Sequence, residues 1–332
     1  PGVPDRPGRP MVDAMKHNAS EPTGVRTAAA LDIGTHSALL LVAAVHGRAR
    51  VEVLTHAEQV TRLGQGLART GALGRAAIRE TVEACAGLAA KAREMGAERL
   101  AAAATSAARD AANSDELLAA LASAGIEARI LSGDDEARLG FAGVCTDERL
   151  SSGGLLTVEV GGGSSQVCWG ACGRLEFARS LDLGAMRLND RWLSVDPPDP
   201  SEMERLRRDA EAGFAGVPAP PLGCRAVALG GAAMTLAAVR LARGGPLPAD
   251  PAAYFRLLDG AELTAAEIEA VLADMASRDQ AGRAAVPGMP RERERVIVPG
   301  AAILLAAMRR FGLSAVTVSL RGLRFGLVVG AA

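Results

Sequence analysis

Residues 155–170 read LLTVEVGGGSSQVCWG. An apolar strand from Leu155 to Val160 leads into a turn of three glycines and two serines, and a return strand follows from Gln166 to Trp169. Consecutive glycines give up backbone entropy, which a fold tolerates where the chain needs positive φ or a close approach to a ligand. Glu159 ends the first strand, so an acid borders a loop rich in free N–H and hydroxyl groups. Amides suit phosphate oxygens, and a carboxylate suits the cation that accompanies them. The segment alone is equally compatible with an ordinary Gly-rich hairpin. The same design recurs from Leu31 to Ala44, LDIGTHSALLLVAA, where Asp32-Ile-Gly-Thr-His-Ser37 aligns without a gap on Glu159-Val-Gly-Gly-Gly-Ser164. Two acid-and-glycine hairpins more than a hundred residues apart imply duplicated halves facing one another across a cleft.

A chain of 332 residues has room for two domains, each with its own core. Aromatics are only 3%, so the core must be built from Leu, Val, Ile and Ala. A net charge of −1 sets up no field that would draw in nucleic acid or an anionic membrane, so any polyanion site must be a local arginine cluster. No apolar run approaches the roughly 18 residues of a membrane span. The five cysteines, Cys85, Cys145, Cys168, Cys172 and Cys224, are scattered. Cys168 and Cys172 flank a turn without a second Cys/His pair to complete a zinc site, so free thiols in a reducing cytoplasm are expected. The run from Pro1 to Thr27 has no apolar centre and reads as a disordered tail, or as residues upstream of a start at Met11 or Met15.

Along the chain, a third strand from Arg48 to Leu54 completes a first β-meander, and a long amphipathic helix spans Ala76 to Met95. The strands Arg99–Ala104 and Ala128–Leu131 flank a helix that Ser114 is expected to cap. Ser132 caps the next helix, whose first turn holds Asp134, Asp135 and Glu136, as the helix dipole favours. The second half repeats the plan: a meander through Leu175–Leu181, a buried strand Arg225–Leu229, a helix opened by Gly230 and Gly231, and helices over 265–276 and 298–310. Strands alternating with helices predict a largely parallel sheet in each half.

In this order the residues LDIGTHS, ATSAARDAANSDELL, LSGDDEARLGFAGV, VEVGGGSSQV, SLDLGAMRL, VALGGAAMTLAAV, VIVPGAAIL and SLRGLRFGLV resemble the exopolyphosphatase and guanosine pentaphosphate phosphohydrolase family. The resemblance runs from about Ala28 to Val329 and is to short members without the C-terminal metal-dependent phosphohydrolase-like domain. It implies an α/β fold of two duplicated ribonuclease H-like domains, as in actin, sugar kinases and heat-shock ATPases. The domains would span 28–140 and 141–332, with the last helix packing back on the first. It further implies hydrolysis of a terminal phosphoanhydride of polyphosphate or guanosine pentaphosphate. Glu136 matches the family's general base. Asp32 and Glu159 match the two loop acids that hold Mg²⁺, with Mn²⁺ as a substitute. Gly34, Thr35, His36, Ser37, Arg109, Gly161, Gly162, Gly163, Ser164, Gly230 and Gly231 match phosphate-binding positions. The resemblance implies a cytoplasmic protein with no nucleic-acid or membrane partner and admits a homodimer. Arg62, Arg138, Arg187 and Arg293 are further cations open to either a cleft or a surface reading.

This sequence departs from the family pattern in the cleft. Glu159 stands where an Asp is usual, His36 where an Asn is usual and Ala232 where a Thr is usual. Leu320 and Phe325 replace an acid pair. Mg²⁺ demands near-octahedral geometry, so the extra methylene of Glu159 must be absorbed somewhere. Two functions stay open at this point: an active Mg²⁺-dependent hydrolase, and a binding or regulatory protein with weakened catalysis in the same cleft. A sugar kinase or chaperone-type ATPase rests on fold alone.

Overall fold

The computed structural model describes residues 24–47 and 50–331. Its first half runs β1 (Val25–Ile33), β2 (Ser37–His46), β3 (Arg50–Val60), α1 (Leu67–Thr70) and α2 (Arg75–Glu94). It continues through β4 (Arg99–Ala104), α3 (Ser106–Asp110), α4 (Ser114–Ser123), β5 (Ala128–Ile130) and α5 (Gly133–Val144). The second half opens with β6 (Gly154–Val160), β7 (Ser165–Ala171), β8 (Arg174–Leu181), α6 (Ala185–Trp192), α7 (Pro200–Phe214), β9 (Arg225–Leu229) and α8 (Gly230–Ala242). It closes with α9 (Pro251–Leu258), β10 (Glu262–Thr264), α10 (Ala265–Ala276), α11 (Gln280–Ala284), α12 (Ile297–Phe311), β11 (Ala315–Val318) and α13 (Leu323–Ala331).

The strand orders are β3-β2-β1-β4-β5 and β10-β11-β9-β6-β7-β8. Read from β8, the second sheet is the first repeated, with β10 added antiparallel at its edge. In each half the meander is antiparallel and the inner strands are parallel: β1 pairs β4, and β6 pairs β9. The duplicated halves and the α/β class expected from the two hairpins are both present.

Two helices exchange sides. α5 packs against β7 and β8 of the second sheet, with Ala137, Phe141 and Val144 joining a core that includes Leu155, Cys168 and Leu229. α13 packs on β1, β2 and β4 of the first sheet, through Leu323, Phe325, Leu327 and Val328. A division at 140 therefore falls inside α5. The two helices lie against each other through glycines. A Cβ on Gly143 would sit 2.1 Å from the Gly322 carbonyl oxygen, and one on Gly326 the same distance from that of Leu139.

Several expectations are corrected. Val25 to Thr27 belong to β1 rather than to a tail, while residues 1–23 and the residues 48–49 of the expected third strand lie outside the described residues. That strand runs on to Val60, because each residue from Thr55 to Val60 still pairs with β2 and only Leu54 is skipped, at a bulge. α4 is N-capped by Asn113, not Ser114, and the Asn113 side chain instead clamps the Leu73 backbone, accepting from its N–H at 2.7 Å and donating to its carbonyl at 3.1 Å. Cys145 and Cys172 are not free thiols but a disulfide, with Cα atoms 5.4 Å apart. Their separation of 27 in sequence hides a contact made when α5 lies on β7 and β8. Cys85, Cys168 and Cys224 are free, as expected. No described helix is long and apolar enough to cross a membrane.

The glycine contacts make a direct prediction. Because the Gly143 neighbour is backbone and cannot swing away, Gly143→Ala should lower the unfolding free energy by about 1–3 kcal/mol, read by urea denaturation. Gly87→Ala, with nothing within 4 Å of its Cβ position, is the control, expected to be neutral or slightly stabilising.

Candidate active site

The two loops adopt one turn. Gly34 N–H donates to the Ser37 carbonyl at 2.9 Å, and Gly161 N–H donates to the Ser164 carbonyl at 2.9 Å. The loops meet face to face across the cleft. A Cβ on Gly163 would lie 2.5 Å from Ser106 Oγ and 2.7 Å from Thr35 Oγ1. None of Gly161, Gly162 and Gly163 has positive φ, so close approach is what these glycines supply. Positive φ is needed at Gly230 (φ 86°), where a side chain would strike the Val160 carbonyl.

Asp32, Gly34, Thr35, His36, Ser37, Glu136, Glu159, Gly161, Gly162, Gly163, Ser164, Gly230 and Gly231 all line this cleft. Arg109 does not. It stands behind Glu136, donating from Nη1 to Glu136 Oε2 at 3.1 Å and to the Leu131 carbonyl at 2.9 Å. Of the other cations considered, Arg293 lines the cleft, whereas Arg187 is spent on the Gly163 carbonyl and Asp110, and Arg62 on Glu292. Arg138 is exposed on α5. The first N–H groups of α6 are taken by the Gly161 and Gly162 carbonyls, so that helix start presents no amides to a ligand.

His36 is buried, not turn-exposed; its Nδ1 lies 3.0 Å from Ser37 Oγ. Burial, reinforced by Arg293, pushes its pKa down to about 4, so it is neutral near pH 7 and able to bridge by hydrogen bonds rather than by charge. The three acids behave oppositely. Burial, with Glu136 beside it, raises Asp32 to about 7, and burial with Glu136 and Asp32 raises Glu159 to about 8. Glu136 is raised by burial and held back by Arg109. Asp32 Oδ1 is buried without any hydrogen-bond partner.

An orphaned oxygen and two half-buried carboxylates at the ends of β1 and β6 are the donor set a hard divalent cation satisfies. Among the described residues no group of three or more His, Cys, Asp or Glu is placed to hold a metal by itself. Asp32 and Glu159 would thus supply two positions, leaving the others to phosphate oxygens and water. The Glu159 carboxylate ends against glycine. A Cβ on Gly140 would lie 3.1 Å from Glu159 Oε2, and one on Gly322 3.7 Å from either carboxylate oxygen.

Sequence reasoning passed over two charged residues. Arg324 is half-buried in the cleft wall and electrostatically coupled to Asp32, Glu58 and Glu159, although its hydrogen bonds go to the Leu40 carbonyl at 3.1 Å and toward His56 Nδ1. Its signal was present in SLRGLRFGLV, beside the Leu320 and Phe325 changes. Phe325, at a position where the resemblance implies an acid, is fully buried near Phe255 and His56. Glu58, a polar residue on an edge strand, carried no sequence signal.

A carboxylate whose pKa is raised in the folded protein opposes folding at every pH above its ordinary value, 3.8 for Asp32. In metal-free buffer at pH 8, Asp32→Asn should therefore raise the melting temperature, by roughly 2–4 °C per kcal/mol recovered, in scanning calorimetry.

A model of the Ppx/GppA phosphatase family matches residues 41–332. Exopolyphosphatase 1 of Mycobacterium tuberculosis is 30% identical over 302 residues, covering 90% of this chain and 86% of the relative. Exopolyphosphatase 2 of the same organism is 36% identical over 189 residues, 54% of this chain and 59% of the relative. The crystal structure of the Aquifex aeolicus Ppx/GppA family member superposes with a TM-score of 0.76 at 26% identity, covering 92% of this chain and 97% of that one. An exopolyphosphatase from Cytophaga hutchinsonii shares the fold at 19% identity and a TM-score of 0.79, covering 92% and 99%.

Proposed function

The chain belongs to the Ppx/GppA phosphatase family, and from that premise we propose that it hydrolyses the terminal phosphoanhydride of inorganic polyphosphate, of guanosine pentaphosphate, or of both, releasing orthophosphate. The observation that carries this reading is the convergence of Glu136, Asp32 and Glu159 with both glycine loops on one cleft. The names of the mycobacterial relatives favour polyphosphate.

Phosphoryl transfer to water needs a positioned nucleophile and neutralised phosphate oxygens, and little covalent chemistry from the protein. In this reading the backbone amides of Gly162–Ser164 and Thr35–Ser37 hold the terminal phosphoryl group, those of Gly34 and Gly161 being used to close the two turns. Glu136, at the first turn of α5, takes the proton of the attacking water; its raised pKa makes it a stronger base than an exposed glutamate. Arg109 fixes the Glu136 rotamer through its Oε2 and tempers that rise. Asp32 and Glu159 would hold Mg²⁺, which when bound screens charge on the phosphate oxygens. His36, neutral and buried beside Ser37, keeps the first loop closed without adding charge.

Phosphate release from long-chain polyphosphate and from guanosine pentaphosphate, each with Mg²⁺ or Mn²⁺, tests the reading. Glu136→Ala should lower kcat by about 10²–10⁴-fold with the melting curve retained, and a chelator should abolish turnover. Undiminished release by Glu136→Ala, or none from either substrate by the wild type, sinks the hydrolase. Because Glu136 must be ionised, kcat/KM should fall on the acid side with an apparent pKa above 4.5, the ordinary glutamate value.

A second reading, a binding protein with weakened catalysis, is favoured by one observation: the Glu159 carboxylate reaches past its strand toward Gly140 and Gly322. Glu159→Asp decides between them. Turnover increased by this substitution marks a degenerate site; turnover already full in the wild type excludes one.

A further inference from the structure

Beyond the loops the cleft continues into a second chamber, lined by Met234, Tyr254, Phe255, Leu320 and Arg324, and Arg293 lines both. The Arg293 guanidinium lies flat on Gly231, where a Cβ would come within 2.4 Å of Nη1. Its side chain is 11% exposed. Its charge is met by Glu58, from the opposite half of the molecule. The same Glu58 carboxylate accepts from Ser37 Oγ at 2.7 Å. Burial opposes the charge on Glu58, yet Arg293, Ser37 and Arg324 together hold its pKa below the ordinary value. A carboxylate thus stands where a loop hydroxyl and a cleft arginine converge, the pair of donors that binds phosphate elsewhere in proteins.

We propose that Glu58 is a specificity-determining residue that competes with substrate phosphate for Arg293 and Ser37. The proposal rests on the phosphoanhydride reading of the cleft. A free orthophosphate must displace a carboxylate already tethered to the protein, exchanging one anion for another with little gain. A chain anchored by its terminal phosphate in the loops brings its next phosphate to Arg293 at high effective concentration. Glu58 therefore weakens single phosphates, the product included, more than it weakens chains. The rival account is purely structural: Glu58–Arg293 would only hold the halves together, as Arg62–Glu292 and Arg187–Asp110 do.

The two accounts predict opposite signs. If Glu58 competes, Glu58→Gln should lower the orthophosphate inhibition constant by about fivefold, and lower the pyrophosphate dissociation constant and the KM for long-chain polyphosphate by less. The gain should vanish in an Arg293→Gln background, and Glu292→Gln, which breaks the neighbouring cross-cleft pair, should give none. Unchanged or weakened affinity in Glu58→Gln, or a gain that persists without Arg293, overturns the proposal. Calorimetric binding of pyrophosphate keeps this separate from catalysis. A protein that binds but never turns over loses the hydrolase reading and still reports on Glu58, whereas a wild type and Glu58→Gln that both fail to bind overturn the two together.

Discussion

The glycine-lined crossing of α5 and α13 is the contact on which the rest depends. α5 leaves the first sheet's last strand and packs on the second sheet, while α13 leaves the second sheet and packs on the first. Each half is therefore finished by a helix that the other half's chain supplies, and the two helices touch at backbone distance because Gly143, Gly322 and Gly326 carry no side chain. The same crossing shapes the chemistry. Glu136 sits on the first turn of α5, and the Glu159 carboxylate ends beside Gly140 and Gly322. A wider crossing would part the acids.

Those acids set the electrostatic character of the cleft. Three carboxylates share a buried space in which only Glu136 has a direct cationic partner, Arg109, and Arg324 acts on the other two through space. Burying unpaired carboxylates costs free energy, and the raised pKa values of Asp32 and Glu159 express that cost. Stability is spent here on a place where a cation and a polyanion are both welcome. Around the rim the balance reverses: Arg62, Arg187 and Arg293 are each matched by a carboxylate of the opposite half, so the two halves meet through ion pairs and through loops packed glycine to hydroxyl.

Much of this was legible in the sequence because the signals were local. The two acid-and-glycine hairpins announced the duplication, and strands such as Arg99–Ala104 and Arg225–Leu229 were bounded by their own composition. The Ser132 cap was readable because a hydroxyl three residues before Asp135 accepts that residue's N–H. What escaped depended on contacts between distant segments. Ser114 looked like a cap until Asn113 was seen gripping Leu73, forty positions away in the chain, and Cys145 and Cys172 looked free until α5 lay on the second sheet. Arg109 was expected to face the cleft, and only the fold reveals that Leu131 and Glu136 turn it toward the back of that acid. Glu58 gave no warning, since it is exposed on an edge strand and its partner Arg293 lies in the other half of the chain.

The exchange of helices also bears on how the molecule comes into being. Synthesis is vectorial, and the apolar face formed by Ala28, Ala30, Leu41 and Ala103 is covered by Leu323, Phe325, Leu327 and Val328, residues that emerge almost three hundred positions later. Throughout translation of the second half that face has no native cover, and a nascent first half is a sheet with one side bare. Completion of the first core and closure of the cleft are thereby one event, timed to the emergence of α13.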